Sequence, residues 1–276
     1  MKYKGIIIIP DVHGRRFWKS AVQKYASELT SEQMHCIFLG DYLDPYEFEQ
    51  QQELVGSTTD VINNFKEILT IKEALGSSVT LLLGNHDLHY IDEYEPDEWR
   101  CRYMYDKEAT IKKLFYKNWD KFSLAYETTF TSGRRCLITH AGVMKGWVDS
   151  RFDNMTESSD ITADWLNSFL SGSNKDKLYV FNDYGEERGG RGYGSPVWAD
   201  ANEFFWGFMN ERHRKESPQL RQVVYPDIYQ IFGHSLAYPF AAEELFGEYS
   251  VTDDYAMLDC RKAFFLDPDG NISEIS

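Results

Sequence analysis

The chain has 276 residues, with 29 Lys and Arg against 44 Asp and Glu and a formal charge of −15. That length can bury one large core, and it reads as a single domain over residues 1–276. Such an acidic balance argues against sequence-independent nucleic-acid binding, which draws its phosphate affinity from a basic surface, yet it admits a small anionic substrate once divalent cations invert the local potential. Cys36, Cys101, Cys136 and Cys260 have no paired spacing and are expected to be reduced thiols. Lys2 and Lys4 precede an apolar run of only residues 6–9, too short for a signal peptide, and no other stretch reaches membrane-spanning length. The expected compartment is the cytoplasm, with no membrane partner.

In chain order, residues 6–9 predict a buried strand that stops at Pro10-Asp11-Val12-His13-Gly14. Phe17, Trp18, Val22, Tyr25 and Ala26 give a helical stripe over residues 17–28. A second strand, 35–39, ends at Gly40-Asp41-Tyr42-Leu43-Asp44, after which Pro45 blocks helix and residues 46–52 read as a mobile acidic, glutamine-rich loop. Ser57 and Asp60 can cap a helix running to about residue 75, and Gly76 closes it. A third strand, 79–83, delivers Gly84-Asn85-His86-Asp87. The order β-α-β-α-β predicts a parallel sheet covered by helices, an α/β fold.

Residues 92–126 interrupt that rhythm with dense aromatics and charges, among them Tyr94, Trp99, Tyr103 and Phe115, and read as a helical insertion beside the site that serves packing or, alternatively, forms a lid. Residues 128–130 and 135–139 predict a hairpin through Ser132-Gly133, followed by His140-Ala141-Gly142. Helices are expected over 156–169 and 203–214. Between them, residues 184–196 hold five glycines and two arginines, Arg188 and Arg191, a flexible loop whose cations suit either phosphate or solvent. Residues 228–232 form a further strand ending at Gly233-His234, and residues 249–275 read as a meander with a turn at Pro268-Asp269-Gly270.

Five apolar runs thus end in Asp, Asn or His, at the strand ends where open α/β sheets bind ligands. Asp11, His13, Asp41, Asn85, His140 and His234 form an oxygen-and-nitrogen set without sulfur, which suits Mn, Fe or Zn. Three carboxylates and four histidines, with Asp44 and His86 included, are best explained by two divalent ions sharing a carboxylate. Ions roughly 3.5–4 Å apart clamp the attacking and leaving oxygens of an in-line phosphoryl displacement.

Asp11-Val12-His13-Gly14, Gly40-Asp41-Tyr42-Leu43-Asp44, Gly84-Asn85-His86-Asp87, His140-Ala141-Gly142 and Gly233-His234 resemble, in order, the motif series of calcineurin-like metallophosphoesterases. The resemblance implies a four-layer α-β-β-α sandwich and attack by a metal-bridging hydroxide. It implies Asp11, His13 and Asp41 on a first metal, Asp41 bridging, and Asn85, His140 and His234 on a second. His86 would be the proton donor to the leaving group, oriented by Asp44, in keeping with the need of a histidine for a carboxylate that sets its tautomer.

Two departures refine the resemblance. Many phosphodiesterases and nucleases of the family carry Gly-His-x-His at the last motif, whereas this chain has Gly233-His234-Ser235-Leu236. That pattern, with Pro196-Val197-Trp198-Ala199-Asp200, resembles the serine/threonine protein phosphatase and diadenosine-polyphosphatase branch instead. The branch places a phosphate-gripping Arg after its second motif, where this chain has Pro45-Tyr46, so that task is assigned to Arg15, Arg16, Arg188 or Arg191. The expected activity is a phosphomonoesterase acting on phosphorylated protein or nucleotide. Alternatives are a phosphodiesterase or nuclease and a non-catalytic metal-binding scaffold. His35, His89 and His213 read as surface or internally satisfied side chains, and Asp87 as a turn cap.

Overall fold

A computed structural model describes residues 1–52, 54–91, 102–152, 157–235 and 249–276. Its strands in chain order are β1 (Ile6–Ile9), β2 (His35–Phe38), β3 (Val79–Leu82), β4 (Phe122–Ser123), β5 (Ala125–Thr129), β6 (Arg135–Thr139), β7 (Ile228–Phe232), β8 (Ser250–Val251), β9 (Tyr255–Met257), β10 (Phe264–Leu266) and β11 (Ile272–Glu274). The chain divides into two compact units, residues 1–123 with 261–276, and residues 124–260.

The first unit holds a six-stranded sheet of order β11-β10-β1-β2-β3-β4. β1 to β4 run parallel, with Ile6 opposite His35 and Cys36 opposite Val79, while β10 and β11 close the edge antiparallel. Every residue of β1 and β2 is buried, as expected of parallel strands covered on both faces. The helix Thr58–Leu75 starts at Ser57, whose backbone N–H donates to the Asp60 carboxylate at 2.9 Å, and packs Val61, Ile62, Phe65, Ile68 and Leu69 inward. Such a reciprocal cap satisfies backbone donors that the first turn leaves open.

Residues 46–52 differ from the mobile loop expected there. Glu47–Gln51 is a short helix, because Glu49 is 1% exposed and accepts from Arg15 Nε at 2.9 and 3.0 Å, with Arg261 Nε at 3.1 Å. A buried carboxylate needs such partners, and two cations pin the segment where periodicity gives no signal. Of the expected insertion, 92–101, with Tyr94 and Trp99, lies outside the described residues. Glu108–Lys117 is helical and buries Ile111 and Phe115. From Phe122 onward the chain is extended, and β4 joins the sheet beside β3.

The second unit holds a five-stranded sheet of order β5-β6-β7-β9-β8. β5 and β6 form the expected hairpin, turning at Gly133 with φ +86°, and β6, β7 and β9 run parallel. The helices Lys145–Arg151, Ala163–Ser171 and Ala201–His213 belong to this unit. Ala163–Ser171 begins later than the sequence suggests, at Thr162, whose hydroxyl accepts from the Trp165 N–H at 3.1 Å; residues 153–156 lie outside the described set. Trp147, Phe152, Phe169 and Phe181 pack edge to face, with ring centroids 5.2 to 5.7 Å apart. The C-terminal meander divides, β8 and β9 joining this sheet while β10 and β11 join the first. Among the described residues no helix is long and apolar enough to cross a membrane.

Candidate metal centre

In the first unit, three loops leave β1, β2 and β3 at the same end of a parallel sheet and are joined backbone to backbone. His13 N–H donates to the Asp41 carbonyl at 2.6 Å and Gly14 N–H to that of Tyr42 at 3.0 Å. The Asp87 carboxylate, beyond capping its own turn at Gly84 N–H (2.8 Å), accepts from the N–H groups of Asp41 (2.7 Å) and Tyr42 (3.1 Å). Gly40, at φ +111°, lies so close that a Cβ there would stand 2.4 Å from Gly84 N. His13, Asp41 and Asp44 take φ of +43°, +52° and +55°. A left-handed backbone costs roughly 1–2 kcal/mol for an L-residue and persists only where neighbours over-determine it. The backbone hydrogen bonds that Asp87 accepts, and those between the loops, supply that constraint.

Asp11, His13 and Asp41 are buried, and each offers a ligand atom within 4.8 Å of the others. His13 Nδ1 lies 2.9 Å from the Leu43 carbonyl, which can only accept, so Nδ1 carries a proton. The neutral ring then presents the Nε2 lone pair to Asp41 Oδ2 at 3.4 Å. Two lone pairs facing at that distance fit a shared cation, and a ring whose other nitrogen donates to a carbonyl is the usual arrangement of a ligating histidine. Two carboxylates and one imidazole suit a borderline divalent ion.

Beside this set, Asn85 and His86 open a short helix, Asn85–Leu88, and both are buried. The His86 N–H donates to Asp41 Oδ1 at 3.0 Å. Its ring Nδ1 stands 2.9 Å from Asp44 Oδ2, and Arg102 Nη2 stands 2.8 Å from Nε2. Arginine can only donate, so Nε2 accepts and the Nδ1 proton points to Asp44. Asp44 also receives the Tyr90 hydroxyl and lies 3.6 Å from His89 Nδ1. Burial pushes the Asp44 carboxyl above the usual range, against hydrogen bonds from His89 and Tyr90 that pull it down.

In the second unit, His140 follows β6 and His234 follows the adjacent parallel β7, so the two rings meet with Nε2 of His140 3.2 Å from Nδ1 of His234. The Gly233 N–H donates to the His140 carbonyl at 2.8 Å, and His234 takes φ +63°. These two imidazoles form a nitrogen donor pair.

The predicted ligands therefore gather within each unit as Asp11, His13, Asp41 and Asn85, and as His140 and His234. The predicted phosphate-binding arginines fare differently. Arg15 is buried, with Nε on both Glu49 oxygens and Nη1 on the Asp11 carbonyl. Arg188 reaches Ser235 Oγ and Asp200 Oδ2, each at 3.0 Å, while Arg191 is exposed, as is Arg16. His35 and His89 are buried, and His213 is exposed. Sequence reasoning missed Arg102, Tyr90 and the contact of His89 with Asp44. Only the short spacing from His86 to Tyr90, a turn of helix, could have suggested the last two.

The calcineurin-like phosphoesterase model matches residues 5–238. No curated protein matches the chain in sequence. Among solved structures, a serine/threonine phosphatase from Saccharomyces cerevisiae, described as similar to human phosphatase PP5, aligns over 100% of this chain and 81% of its own at 12% identity and a TM-score of 0.45, a likeness too loose to bear on substrate or mechanism. With the family match spanning most of the sequence and a mixed α/β fold of two helix-flanked sheets, the chain belongs to the calcineurin-like phosphoesterase family and is a metal-dependent phosphoric ester hydrolase.

Proposed function

We propose that this protein is a phosphomonoesterase that works with two divalent ions drawn from Mn, Fe and Zn, acting on phosphorylated protein or nucleotide. The observation that carries the reading is the tether between donor set and proton donor: the His86 backbone holds Asp41 Oδ1 at 3.0 Å while its ring is held 2.9 Å from Asp44. Asp11, His13 and Asp41 would hold one ion, and Asn85, His140 and His234 the other, with Asp41 shared. Bound there, such ions polarise phosphoryl oxygens and supply an activated water at neutral pH.

The chain's own residues do the rest. His86 takes up a proton from water at Nε2, which makes the imidazolium that Asp44 orients and stabilises, and then gives that Nε2 proton to the oxygen that departs. Asp87 holds the loops of Asp41 and Asn85 in register, so acid and ligands move as one body. Ser235-Leu236 after His234, rather than a second ligating histidine, supports monoesters over diesters. The buried thiols of Cys36 and Cys136, both pushed up by burial, support a cytoplasmic setting. The test is turnover of p-nitrophenyl phosphate against bis-p-nitrophenyl phosphate by Mn-loaded protein, with elemental analysis. Two ions per chain and a monoester preference are expected; a diester preference would move the protein to the phosphodiesterases, and no turnover of either would revive the scaffold alternative.

A further inference from the structure

Arg102 belongs to none of the five motifs, yet its guanidinium lies at the centre of the first unit's site. Nη2 is 2.8 Å from His86 Nε2, Nη1 donates to the Asp44 carbonyl at 3.0 Å, and the guanidinium carbon lies 3.8 Å from the centroid of the Tyr46 ring. Resting on the phosphoesterase reading above, we propose that Arg102 is the residue that grips the substrate's phosphoryl group and selects monoesters over diesters.

Three observations support it. A proton donor must come within about 2.6–3.2 Å of the departing oxygen, so a guanidinium already 2.8 Å from the same ring nitrogen is within one hydrogen bond of the phosphoryl oxygens. Its contact with a neutral imidazole is weaker than a charge-assisted, forked contact with phosphate, so entry of the anion draws Nη2 off Nε2 and frees that nitrogen to take up from water the proton it passes to the leaving group. The side chain is positioned rather than loose: the Asp44 carbonyl fixes one nitrogen and the Tyr46 face supports the plane. Tyr46 follows Pro45 directly after Asp44, so the segment that offers no cation of its own provides the seat for one arriving from residue 102. Arg15, the nearer candidate in sequence, is bound by Glu49 instead.

A phosphomonoester keeps three non-bridging oxygens, and one would remain for Arg102 if the other two were taken up by bound ions. In a diester that third oxygen carries a second ester group, and the guanidinium loses its charged partner. The experiment compares wild-type and Arg102→Ala protein, both Mn-loaded, by calorimetric titration with orthophosphate and by kinetics on p-nitrophenyl phosphate and bis-p-nitrophenyl phosphate, two esters with one leaving group. Arg102→Ala is expected to weaken orthophosphate affinity about 10- to 100-fold and to lower kcat/KM for the monoester similarly, with the diester changed less than about threefold and metal content unchanged. Arg102→Lys, which keeps the charge but not the fork, should recover part of both losses. Unchanged orthophosphate affinity, or equal losses on both esters, overturns the assignment while leaving the phosphoesterase reading intact. Loss of metal in both variants also overturns it, since Arg102 would then serve the framework of Asp44 and His86. A wild-type protein that neither binds orthophosphate nor cleaves either ester overturns both.

Discussion

Replacing Asp44 by Asn removes one charge and no volume, and its cost lies in the hydrogen bonds that an amide cannot reproduce. Asp44 accepts from His86 Nδ1 through one oxygen and from the Tyr90 hydroxyl through the other, while Tyr90 accepts from the Met104 N–H at 2.9 Å. An amide can offer its oxygen to only one of them. If the oxygen faces His86, the NH2 meets the Tyr90 hydroxyl, which loses its acceptor. If it faces Tyr90, the NH2 confronts the Nδ1 proton, and the ring must shift to the other tautomer, bringing an Nε2 proton against Arg102. Either way one buried donor is unsatisfied, at about 1–3 kcal/mol. Because burial already holds the Asp44 carboxyl high, loss of its charge returns part of this, and a net destabilisation of about 1–2 kcal/mol is expected. In catalysis the oriented imidazolium is lost, so kcat on an alkyl phosphate should fall by about 10²-fold or more, within the range of general-acid effects, and on p-nitrophenyl phosphate far less, since nitrophenolate departs without a proton. Urea unfolding, elemental analysis and paired kinetics read all three quantities. Equal losses on both substrates at full metal occupancy would refute the proton-donor arrangement.

Three further outcomes are expected. Asp41→Asn should lower both ions together in elemental analysis, because it removes the shared charge; loss of one ion alone would end the bridging assignment. Glu203 is 8% exposed and burial raises its carboxyl from 4.5 to about 7, so the folded state holds its proton longer than the unfolded one and stability falls as pH rises from 4.5 through 7, by at most about 3 kcal/mol. Glu203→Gln should flatten that slope in urea titrations. His35, 2% exposed, is pushed down from 6.5 to about 4 by burial, so its contribution is present above 6.5 and is lost as pH falls; at pH 5 the loss is about 2 kcal/mol. His35→Phe, which keeps the stack on Tyr3, should remove the acid-side slope, and an unchanged slope would place the titration elsewhere.

Much of the site was legible because parallel strands are short, apolar and abruptly terminated. Each of the runs ending at Asp11, Asp41, Asn85, His140 and His234 announces a strand by its apolar run and a candidate ligand by the polar residue past it. Arg102 left no such mark, since a guanidinium that meets His86 across 16 positions obeys no period. The helix at Glu47–Gln51 was hidden for a related reason: it rests on Arg15 and Arg261 meeting at Glu49, and Arg261 is more than two hundred residues away in sequence. The C-terminal strands were visible as strands but not as members of two different sheets, because short three-residue segments carry no information about partner choice.

The return of residues 261–276 to the first unit has a consequence for how the protein is made. β10 pairs along β1, Ile6 opposite Leu266 and Ile8 opposite Phe264, and Arg261 supplies Glu49 with its second cation. During synthesis domains tend to fold as they emerge, N-terminal first. Here the strands of residues 1–123 wait for residues 261–276, which are made only after the whole of the second unit. Until residues 264–266 have emerged to pair with it, β1 stands as an open edge, an apolar template for pairing with a neighbouring chain. Truncation before Arg261 would leave every one of the five sequence motifs in the polypeptide and still yield a nascent product directed toward aggregation and chaperones.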